Sequence, residues 1–428
     1  MAPPRPLPAI LSYHYNICSS VKWTIGGVEL TGKHAIIVGA GVTGLSTAYH
    51  LKRMGYGEVT LLEKDSVGAG SSSRAAGIST GLLWSKTGVL ARKTALRFFR
   101  QFSSEFDGYS FHNEHGCLGL FSPELWPARE ALLPLYDEYD VPYQILSPQE
   151  MRRRWPQLNP RADQTGLLDP LGGYSEPDAY LPALTARVKS LGVKLIENCV
   201  VHELLTAGHR VTGVRTDAGV LEADAVVVTN YAWILPLLAT SGIAIPAKTF
   251  VHQRYVSKPL RAQLQIPPVN ADPYLGYVRP ADGNRVLIGA ETPDRDDWKV
   301  RDFGFQLTEI EDDPRVLPDV LERFGDFVPA LAEAEWETRK VGLLSFSMDG
   351  EPIIGPFGGV ENLYAGVCFH SGGFSYNPAS GFYLAEFVAK GKTSIDLTAF
   401  SPNRFSAAET ADYLASTVPQ RNAARRRH

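Results

Sequence analysis

Runs of apolar residues alternate with amphipathic segments through the first hundred positions of the chain. The run 35–38 predicts a buried strand, since consecutive apolar residues suit a strand that is covered on both faces. The segment 45–54 has apolar residues every three or four positions and predicts a helix, and 58–63 predicts a second strand. The segment 87–106 predicts another amphipathic helix, whose cations, including Arg92, form a solvated basic face. This order favours an α/β fold with a parallel sheet.

The pattern changes beyond position 110, where half-buried strands become more frequent. Alternating apolar and polar residues over 245–257 and 274–288 predict long antiparallel strands, and an Asp-Gly pair in the second segment predicts a hairpin turn. The segment 112–122 predicts two paired strands, and 123–160 predicts a helical insertion. A second domain with a sheet of its own is therefore expected.

The two domains interleave along the chain, with a segment outside them at each end. The predicted divisions are an N-terminal arm over 1–30, a discontinuous first domain over 31–105, 166–244 and 337–405, a second domain over 106–165 and 245–336, and a C-terminal tail over 406–428.

Composition and charge mainly exclude certain classes of partner and site. The 428 residues are 44% hydrophobic and 21% charged, which is ordinary for a globular protein. A net charge of −4 gives no electrostatic reason to expect nucleic acid or an anionic membrane as a partner. No apolar run is long enough to span a bilayer. His112 and His115 have no convincing third ligand, so no metal site is predicted.

The cysteines and the N-terminus bear on location. Four cysteines without metal-binding spacing indicate reduced thiols in a cytoplasmic protein. The N-terminal arm has one arginine and no acid before Glu29, which leaves mitochondrial import as the alternative.

Glycines at the first strand-to-helix turn give the first chemical signal. Gly39, Gly41 and Gly44 follow the strand in GxGxxG spacing, and each has a role in a dinucleotide site. The first allows a tight turn, the second lets the backbone approach a pyrophosphate, and the third lets the helix pack close to the strand. The free N–H groups at the helix start, at Val42 and Thr43, then face the phosphates.

An acidic residue and a loop of small residues extend this signal. Glu63 ends the second strand about 20 residues after Gly44, where a carboxylate can accept hydrogen bonds from ribose hydroxyls. The same carboxylate argues against the 2′-phosphate of NADP. The loop 68–77 can run along an extended cofactor with its N–H and hydroxyl groups facing inward, which favours FAD over NAD. The residues predicted to bind FAD here are Lys64, Ser71, Ser72, Ser73, Arg74, Ala75, Ala76 and Gly77.

A second glycine-rich turn lies near the end of the chain. A predicted strand runs into a turn that contains His370, Gly372, Gly373 and Phe374, before a predicted helix over 382–389. Backbone N–H groups at such a turn can face negative charge, which a reduced flavin carries at its pyrimidine end. The same residues also suit a purely structural turn.

Taken together, four segments resemble the FAD-dependent oxidoreductases of the D-amino-acid oxidase, glycine oxidase and sarcosine oxidase family. They occur in the family's order between about 34 and 405: VGAGVTGLSTAYHL with LLEKDSVGAGSSSRAAG, the Val200-Val201 pair, DGEPIIG, and NLYAGVCFHSGGFSYNPASG. The resemblance implies an α/β fold, in which a Rossmann-type FAD-binding domain carries a substrate domain built on a mixed or antiparallel sheet. It also implies that Val201, Thr229 and Gly342 lie along the cofactor.

The activity that the resemblance implies is oxidation of the C–N bond of an amine or an N-alkyl amino acid. Hydride passes to FAD and leaves an imine, and O₂ or another acceptor then takes the electrons. Two alternatives stay open. One is FAD-dependent oxidation of a 2-hydroxy acid or a polyol phosphate, and the other is a flavin-binding protein with little turnover.

Departures from the family's pattern sharpen these expectations. Where dimethylglycine dehydrogenases carry a histidine for covalent flavin attachment this chain has Arg74, and where monomeric sarcosine oxidases carry a cysteine it has Gly342. Non-covalent FAD is therefore predicted. Leu344 and Ser375 replace the family's two carboxylate-binding cations. A substrate carboxylate is thus bound elsewhere, or the substrate is not a simple amino acid.

Four residues are the predicted catalytic candidates. His370 would lie near the flavin and ease deprotonation of an amine. Arg279 and Tyr274 lie on the strand pair expected to cover the pocket, where an arginine can bind a carboxylate bidentately. Tyr255 is the fourth candidate, and His252 of the same predicted sheet is weaker.

Overall fold

The computed structural model describes residues 24–25, 28–29, 32–291 and 296–418. One sheet in this part of the chain is mainly parallel. Its strands, in spatial order, are β11 (Lys194–Ile196), β4 (Glu58–Leu62), β3 (His34–Val38), β15 (Ala225–Val228), β22 (Leu363–Val367) and β21 (Ile353–Pro356). All neighbours pair in parallel except β22 and β21. The strand order reverses between β3 and β15, and open α/β sheets bind ligands beyond the carboxyl ends of strands at such a point.

The largest sheet of the described residues is mainly antiparallel, and its one parallel pair joins β17 (Val269–Ala271) to β7 (Cys117–Phe121). Its strands, in spatial order, are β23 (Phe369–His370), β20 (Trp336–Ser347), β16 (Ala247–Ser257), β19 (Arg285–Glu291), β18 (Gly276–Ala281), β17 (Val269–Ala271), β7 (Cys117–Phe121), β9 (Thr165–Asp169) and β8 (Gln144–Leu146).

The described residues also form three smaller antiparallel sheets. They consist of β1 (Thr24–Ile25) with β2 (Val28–Glu29), of β5 (Ile78–Ser79), β10 (Gly173–Ser175) and β6 (Phe111–His112), and of β12 (Val201–Ala207), β13 (Arg210–Thr216) and β14 (Gly219–Glu222).

Helices cover one face of the parallel sheet. The α-helices of the described ranges are α1 (Val42–Arg53), α2 (Lys86–Glu105), α3 (Trp126–Glu130), α4 (Leu133–Glu138), α5 (Pro148–Arg154), α6 (Pro177–Ser190), α7 (Ile234–Ala239), α8 (Val316–Gly325), α9 (Gly373–Lys390) and α10 (Ala407–Ala415). None of them is long and apolar enough to cross a membrane.

The alternating side chains of β3 explain why its apolar run is continuous. Ala35 and Ile37 pack with α1, α2, α6 and α9. Ile36 and Val38 pack on the other face with β12 and β13. Both faces of the strand are therefore covered, as the sequence pattern indicates.

Two predicted elements differ in the structure. Strands form on both sides of Gly116, but β6 pairs with β10 while β7 pairs with β17 and β9, so they lie in different sheets. The terminal helix α9 begins at Gly373 rather than at 382. Its first turns contain Gly, Ser, Asn and Pro, which are poor helix formers. Burial of residues 374–381 outweighs that propensity.

The predicted basic face of α2 is also corrected, and the placement of two strands bears on the predicted domain divisions. Arg92 is buried, and its guanidinium lies 4.2 Å from the centre of the Tyr376 ring. Strands β20 and β23, which the sequence assigned to the first domain, belong to the large antiparallel sheet. Strand partners are set by long-range pairing, which local patterns do not reveal.

The two chain ends are described only in part. The predicted N-terminal arm falls largely outside the described residues, apart from β1 and β2. At the other end α10 starts with a capping box between Ser406 and Glu409. Lys248 Nζ donates to the Ser416 carbonyl at 2.6 Å. The chain up to residue 418 is therefore docked on the large sheet, and the rest lies outside the described residues.

His50 makes the stability of the helical layer depend on pH. Its imidazole lies among Tyr49, Phe98, Phe102 and Phe382, with ring centres 4.6–6.2 Å away. Burial lowers the pKa of His50 to about 3. The folded protein therefore excludes a proton that the unfolded chain takes up below its ordinary pKa of about 6.5.

We expect the free energy of unfolding to decrease as the pH falls from 7, because the unfolded state binds more protons between the two pKa values. The contribution of His50 is about 2 kcal/mol at pH 5. His50→Phe should remove this part of the pH dependence, and His209→Phe, at an exposed position, should not. Denaturant unfolding at pH 7 and pH 5 measures how steeply the free energy of unfolding changes with pH in each variant, which gives the two slopes. Equal slopes for His50→Phe and the unchanged protein would contradict the assignment.

Candidate cofactor and active site

A cleft runs past the carboxyl ends of β3, β15 and β22 and reaches β16, β18 and β20. It contains about 1390 Å³ of unfilled space, including solvent at its mouth. Residues of both sheets and of the loop 68–77 therefore contribute to its walls.

Most of the residues predicted to bind FAD line this cleft. Those that do are Gly39, Gly41, Val42, Thr43, Glu63, Lys64, Ser71, Ser72, Arg74, Ala75, Ala76, Val201, Thr229, Gly342, Gly373 and Phe374. The predicted residues that are not part of its lining are Gly44, Ser73, Gly77 and Gly372.

The glycine turn is packed as a dinucleotide turn requires. Gly39 has a φ of 101°, a left-handed conformation that glycine adopts without strain. A β-carbon on Gly44 would lie 1.9 Å from the Gly39 carbonyl oxygen, so Gly44 lets α1 pack against the turn without lining the cleft itself. The Val42 N–H at the start of α1 donates to Ser72 Oγ at 3.0 Å. The turn and the loop 68–77 thus hold each other at the cleft wall.

Glu63 lies at this end of the cleft and binds backbone N–H groups. Its carboxylate accepts from Ala40 at 2.8 Å and from Asp65 at 3.0 Å, one bond on each oxygen. Burial raises the pKa of Glu63 despite these two bonds. Each oxygen has a further lone pair that can accept from a ribose hydroxyl.

Lys64 is held away from the centre of the cleft. Its Nζ lies 2.6 Å from the Asp65 carboxylate, 3.3 Å from the Phe305 carbonyl and 4.7 Å from the centre of the Trp233 ring. The lysine therefore joins the segment around Phe305 to the parallel-sheet domain.

The two positions that replace covalent attachment sites lie in contact. A β-carbon on Gly342 would lie 3.0 Å from Arg74 Cδ. Arg74 Nε donates to the Val341 carbonyl at 2.9 Å, and its Nη1 donates to the carbonyls of Ala69 and Gly70. Arg74 and Gly342 thus form one patch of the wall, without a nucleophile that could link to a flavin.

The terminal turn forms the wall at the other end of the cleft. His370 is 3% exposed and has a φ of 48°, which is rare for a residue with a side chain. Its carbonyl lies 3.4 Å from Tyr231 Oη, which also accepts from the Ser345 N–H at 2.7 Å. Because α9 begins at Gly373, its first N–H groups lie at this wall.

A histidine and a tyrosine meet at the large-sheet side of the cleft. His252 of β16 lies opposite Gly342 of β20, and its Nε2 is 2.8 Å from Tyr277 Oη. Both side chains line the cleft. A β-carbon on Gly289 would lie 2.3 Å from the Tyr277 hydroxyl, so the glycine leaves room for this contact.

The His252 imidazole is uncharged at neutral pH. Burial, with a smaller effect of Arg254, lowers the pKa of His252 to about 4. Its Nδ1 has no hydrogen-bond partner among the described residues. This buried ring nitrogen therefore has an unused hydrogen-bonding position.

Three of the four predicted catalytic residues lie outside the cleft, and His370 lies in it. Arg279 is fully buried and binds Glu176 bidentately at 2.6 and 2.8 Å, so it is not placed to hold a substrate carboxylate. Tyr274 Oη accepts from Gln164. Tyr255 Oη accepts from Gln253. Both tyrosines belong to the core beneath the large sheet.

The structure also shows where Leu344 and Ser375 lie, the two positions at which relatives were expected to carry a carboxylate-binding cation. Leu344 lines the cleft, so an apolar side chain stands where relatives were expected to hold a charge. Ser375 is buried and donates to the Ile78 carbonyl.

Sequence reasoning missed several lining residues. Tyr277 lies on a predicted strand, and only the sheet register shows that it reaches His252. Tyr231 and Trp233 follow a buried strand, which was a usable signal. Phe303 lies in a charged segment without periodicity, where the sequence offers none.

The residues present fit FAD. Gly39, Gly41 and Gly342 place backbone without a side chain in the cleft lining, and Glu63 offers acceptors at the predicted ribose position. Within the described ranges no group of three metal-binding side chains occurs.

We expect Gly44→Ala to weaken FAD binding about tenfold or more, because a β-carbon would force the turn and α1 apart. Gly325→Ala makes the same change near the end of α8, where a β-carbon meets nothing within 4 Å. It should leave FAD binding unchanged and stabilise the helix by up to about 1 kcal/mol. Fluorescence titration of the apoprotein with FAD measures both. Equal FAD affinities of the two variants would show that the turn accommodates a β-carbon at residue 44.

Two curated proteins illustrate what the chain is similar to. It is 28% identical over 382 residues to 4-methylaminobutanoate oxidase (formaldehyde-forming) of Paenarthrobacter nicotinovorans, covering 88% of this chain and 46% of that protein. It is 26% identical to sarcosine oxidase subunit beta of Rhodobacter capsulatus, covering 88% of this chain and 89% of the subunit. The chain thus spans about half of the first relative and most of the second.

Solved structures share the fold. L-proline dehydrogenase from P. horikoshii superposes with a TM-score of 0.79 at 24% identity, covering 88% of this chain and 98% of that one. Glycine oxidase from Geobacillus kaustophilus superposes with a TM-score of 0.73 at 23% identity, covering 87% and 100%. The fold predicted from sequence is confirmed. The model of the DAO family, FAD dependent oxidoreductase, matches residues 34–387, and the chain belongs to this family.

Proposed function

We propose that this protein oxidises the C–N bond of an amine or an N-alkyl amino acid by hydride transfer to FAD, giving an imine. The observation that carries the proposal is the uncharged His252 beside Tyr277 in the cleft. Bound FAD supplies the two-electron acceptor, and the protein supplies binding, orientation and electrostatics.

The environment of His252 favours the form of an amine that can react. An amine must lose its ammonium proton before the neighbouring carbon can give up hydride. Burial that disfavours a charged imidazole also disfavours an ammonium group beside it, so the pKa of a bound amine falls. In this proposal the neutral amine binds beside the uncharged His252 ring, which Tyr277 orients.

The names of the relatives support an N-methyl amine as substrate. The proteins that the chain resembles are named for 4-methylaminobutanoate, sarcosine and, at 25% identity, dimethylglycine. Leu344 in the lining favours a substrate with an apolar portion at this point. We propose a secondary or tertiary amine of this class.

We also propose that FAD is held without a covalent bond, since Arg74 and Gly342 occupy the two positions where a link would form. Acid precipitation should release the flavin colour into the supernatant. Colour that stays in the pellet would show a covalent link and overturn this part of the proposal.

A cytoplasmic location is part of the proposal. Cys117, Cys199 and Cys368 are free thiols within the described ranges, as expected in a reducing compartment. Fractionation of the native host cells tests it.

The test of the activity is anaerobic mixing of the flavin-loaded protein with matched amines and hydroxy compounds. Bleaching by N-methyl amines but not by their hydroxy analogues supports the proposal. Bleaching by 2-hydroxy acids or polyol phosphates would favour C–O oxidation instead. No bleaching by any compound would favour a flavin-binding role. Admission of O₂, or of an artificial acceptor, to the bleached protein then identifies what reoxidises it.

We expect Tyr277→Phe to slow flavin reduction about tenfold or more, because the His252 ring loses the hydroxyl that orients it. Tyr274→Phe is the matched control, since this tyrosine lies nearby in the chain but is bonded in the core. It should change the rate by less than about twofold. Stopped-flow absorbance with a saturating amine measures both. Equal rates in the two variants would remove Tyr277 from the site.

A further inference from the structure

Four cationic side chains bind backbone carbonyls of the loop 69–76, and three of them do so from outside the cleft lining. Arg254 Nε donates to the Arg74 carbonyl at 2.8 Å, and its Nη2 donates to the Ser73 carbonyl at 3.1 Å. Lys340 Nζ donates to the Ser73 carbonyl at 3.1 Å. Arg279 Nε donates to the Ala76 carbonyl at 2.6 Å.

The fourth cation belongs to the loop itself. Arg74 binds the carbonyls of Ala69 and Gly70 and that of Val341. The cations thus occupy five carbonyls of a loop whose residues 74–76 line the cleft. We call Arg74, Arg254, Arg279 and Lys340 the cation clasp.

The clasp is more positive than its acidic neighbours can balance. Glu176 pairs bidentately with Arg279, and Asp178, whose side chain is 81% exposed, lies 3.9 Å from Lys340 Nζ. Four cations against these two carboxylates leave two positive charges beside the cleft wall. Burial, and then the nearby Arg254, lower the pKa of Lys340, which is consistent with positive charges held close together.

The positive charges of the cation clasp change the electrostatic potential at a ligand bound in the cleft. In a protein interior, where the effective dielectric constant is well below that of water, a fixed positive charge favours the more negative form of a ligand. A reduced flavin carries more negative charge than the oxidised form. The clasp therefore favours the reduced form of a flavin in this cleft.

We propose that the cation clasp, with Arg254 at its centre, raises the midpoint potential of bound FAD and holds the loop 69–76 against it. Arg254 is a positioning residue in this proposal, because it acts on the cofactor through loop carbonyls and its charge. The inference rests on the proposed function in that FAD occupies the cleft, but not on the identity of the substrate.

The test is the midpoint potential and FAD affinity of the flavin-loaded protein and its variants. Arg254→Met removes a charge and two hydrogen bonds. We expect its preference for reduced over oxidised FAD to fall about tenfold, which is a midpoint potential ~30 mV lower for a two-electron couple. Its affinity for oxidised FAD should also fall, because the loop is less firmly held.

Arg254→Lys separates charge from geometry. A lysine keeps the charge but cannot reproduce the planar two-carbonyl contact of the guanidinium. We expect weaker FAD binding with a nearly unchanged midpoint potential. Lys340→Met, at a partly exposed position, should lower the potential in the same direction as Arg254→Met, and it keeps the test open if the buried substitution prevents folding.

Arg285→Met is the matched control. Arg285 belongs to the same sheet, and its ion pair with Glu337 has no part in the loop. The potential should not change. If Arg254→Met and Lys340→Met bind FAD and keep the midpoint potential of the unchanged protein, the inference is overturned and the proposed function is left intact. Equal shifts in the control would overturn it too. A protein that binds no FAD at all would instead refute the proposed function, and this inference with it.

Discussion

A β-carbon on residue 44 would lie 1.9 Å from the carbonyl oxygen of Gly39, and the cofactor site depends on the close contact that this allows. Because α1 packs directly on the turn after β3, its first N–H groups lie at the cleft wall. The same turn is packed against the end of β15, where a β-carbon on Gly39 would lie 2.9 Å from Asn230 Cα. The cleft thus begins where three backbone segments meet without intervening side chains.

The large antiparallel sheet completes the site from the other side. Its strand β16 carries both His252, which lines the cleft, and Arg254, which holds the loop 69–76. The loop and the candidate catalytic pair are therefore anchored on the same strand.

The ionisable groups around the cleft differ in the partners that surround them. His252 lies in a setting that keeps it uncharged. Arg279 is fully buried but has the Glu176 carboxylate and two carbonyls as partners. An arginine without such partners could bind a substrate carboxylate, but here the guanidinium of Arg279 is bound to Glu176. Arg279 thus binds Glu176 and the loop, whereas His252 presents an uncharged ring at the cleft wall.

The sequence by itself determined the local elements of the cofactor site. The apolar run of β3, the glycine spacing and the acidic end at Glu63 are close together in the chain, and short-range geometry makes them predictive. Tertiary structure alone decided the start of α9, the burial of Arg92, the partners of Arg279 and the meeting of His252 with Tyr277. Each of these depends on which distant strand or helix covers a residue. Sheet register and burial arise from long-range packing, and a local pattern of residue types does not contain them.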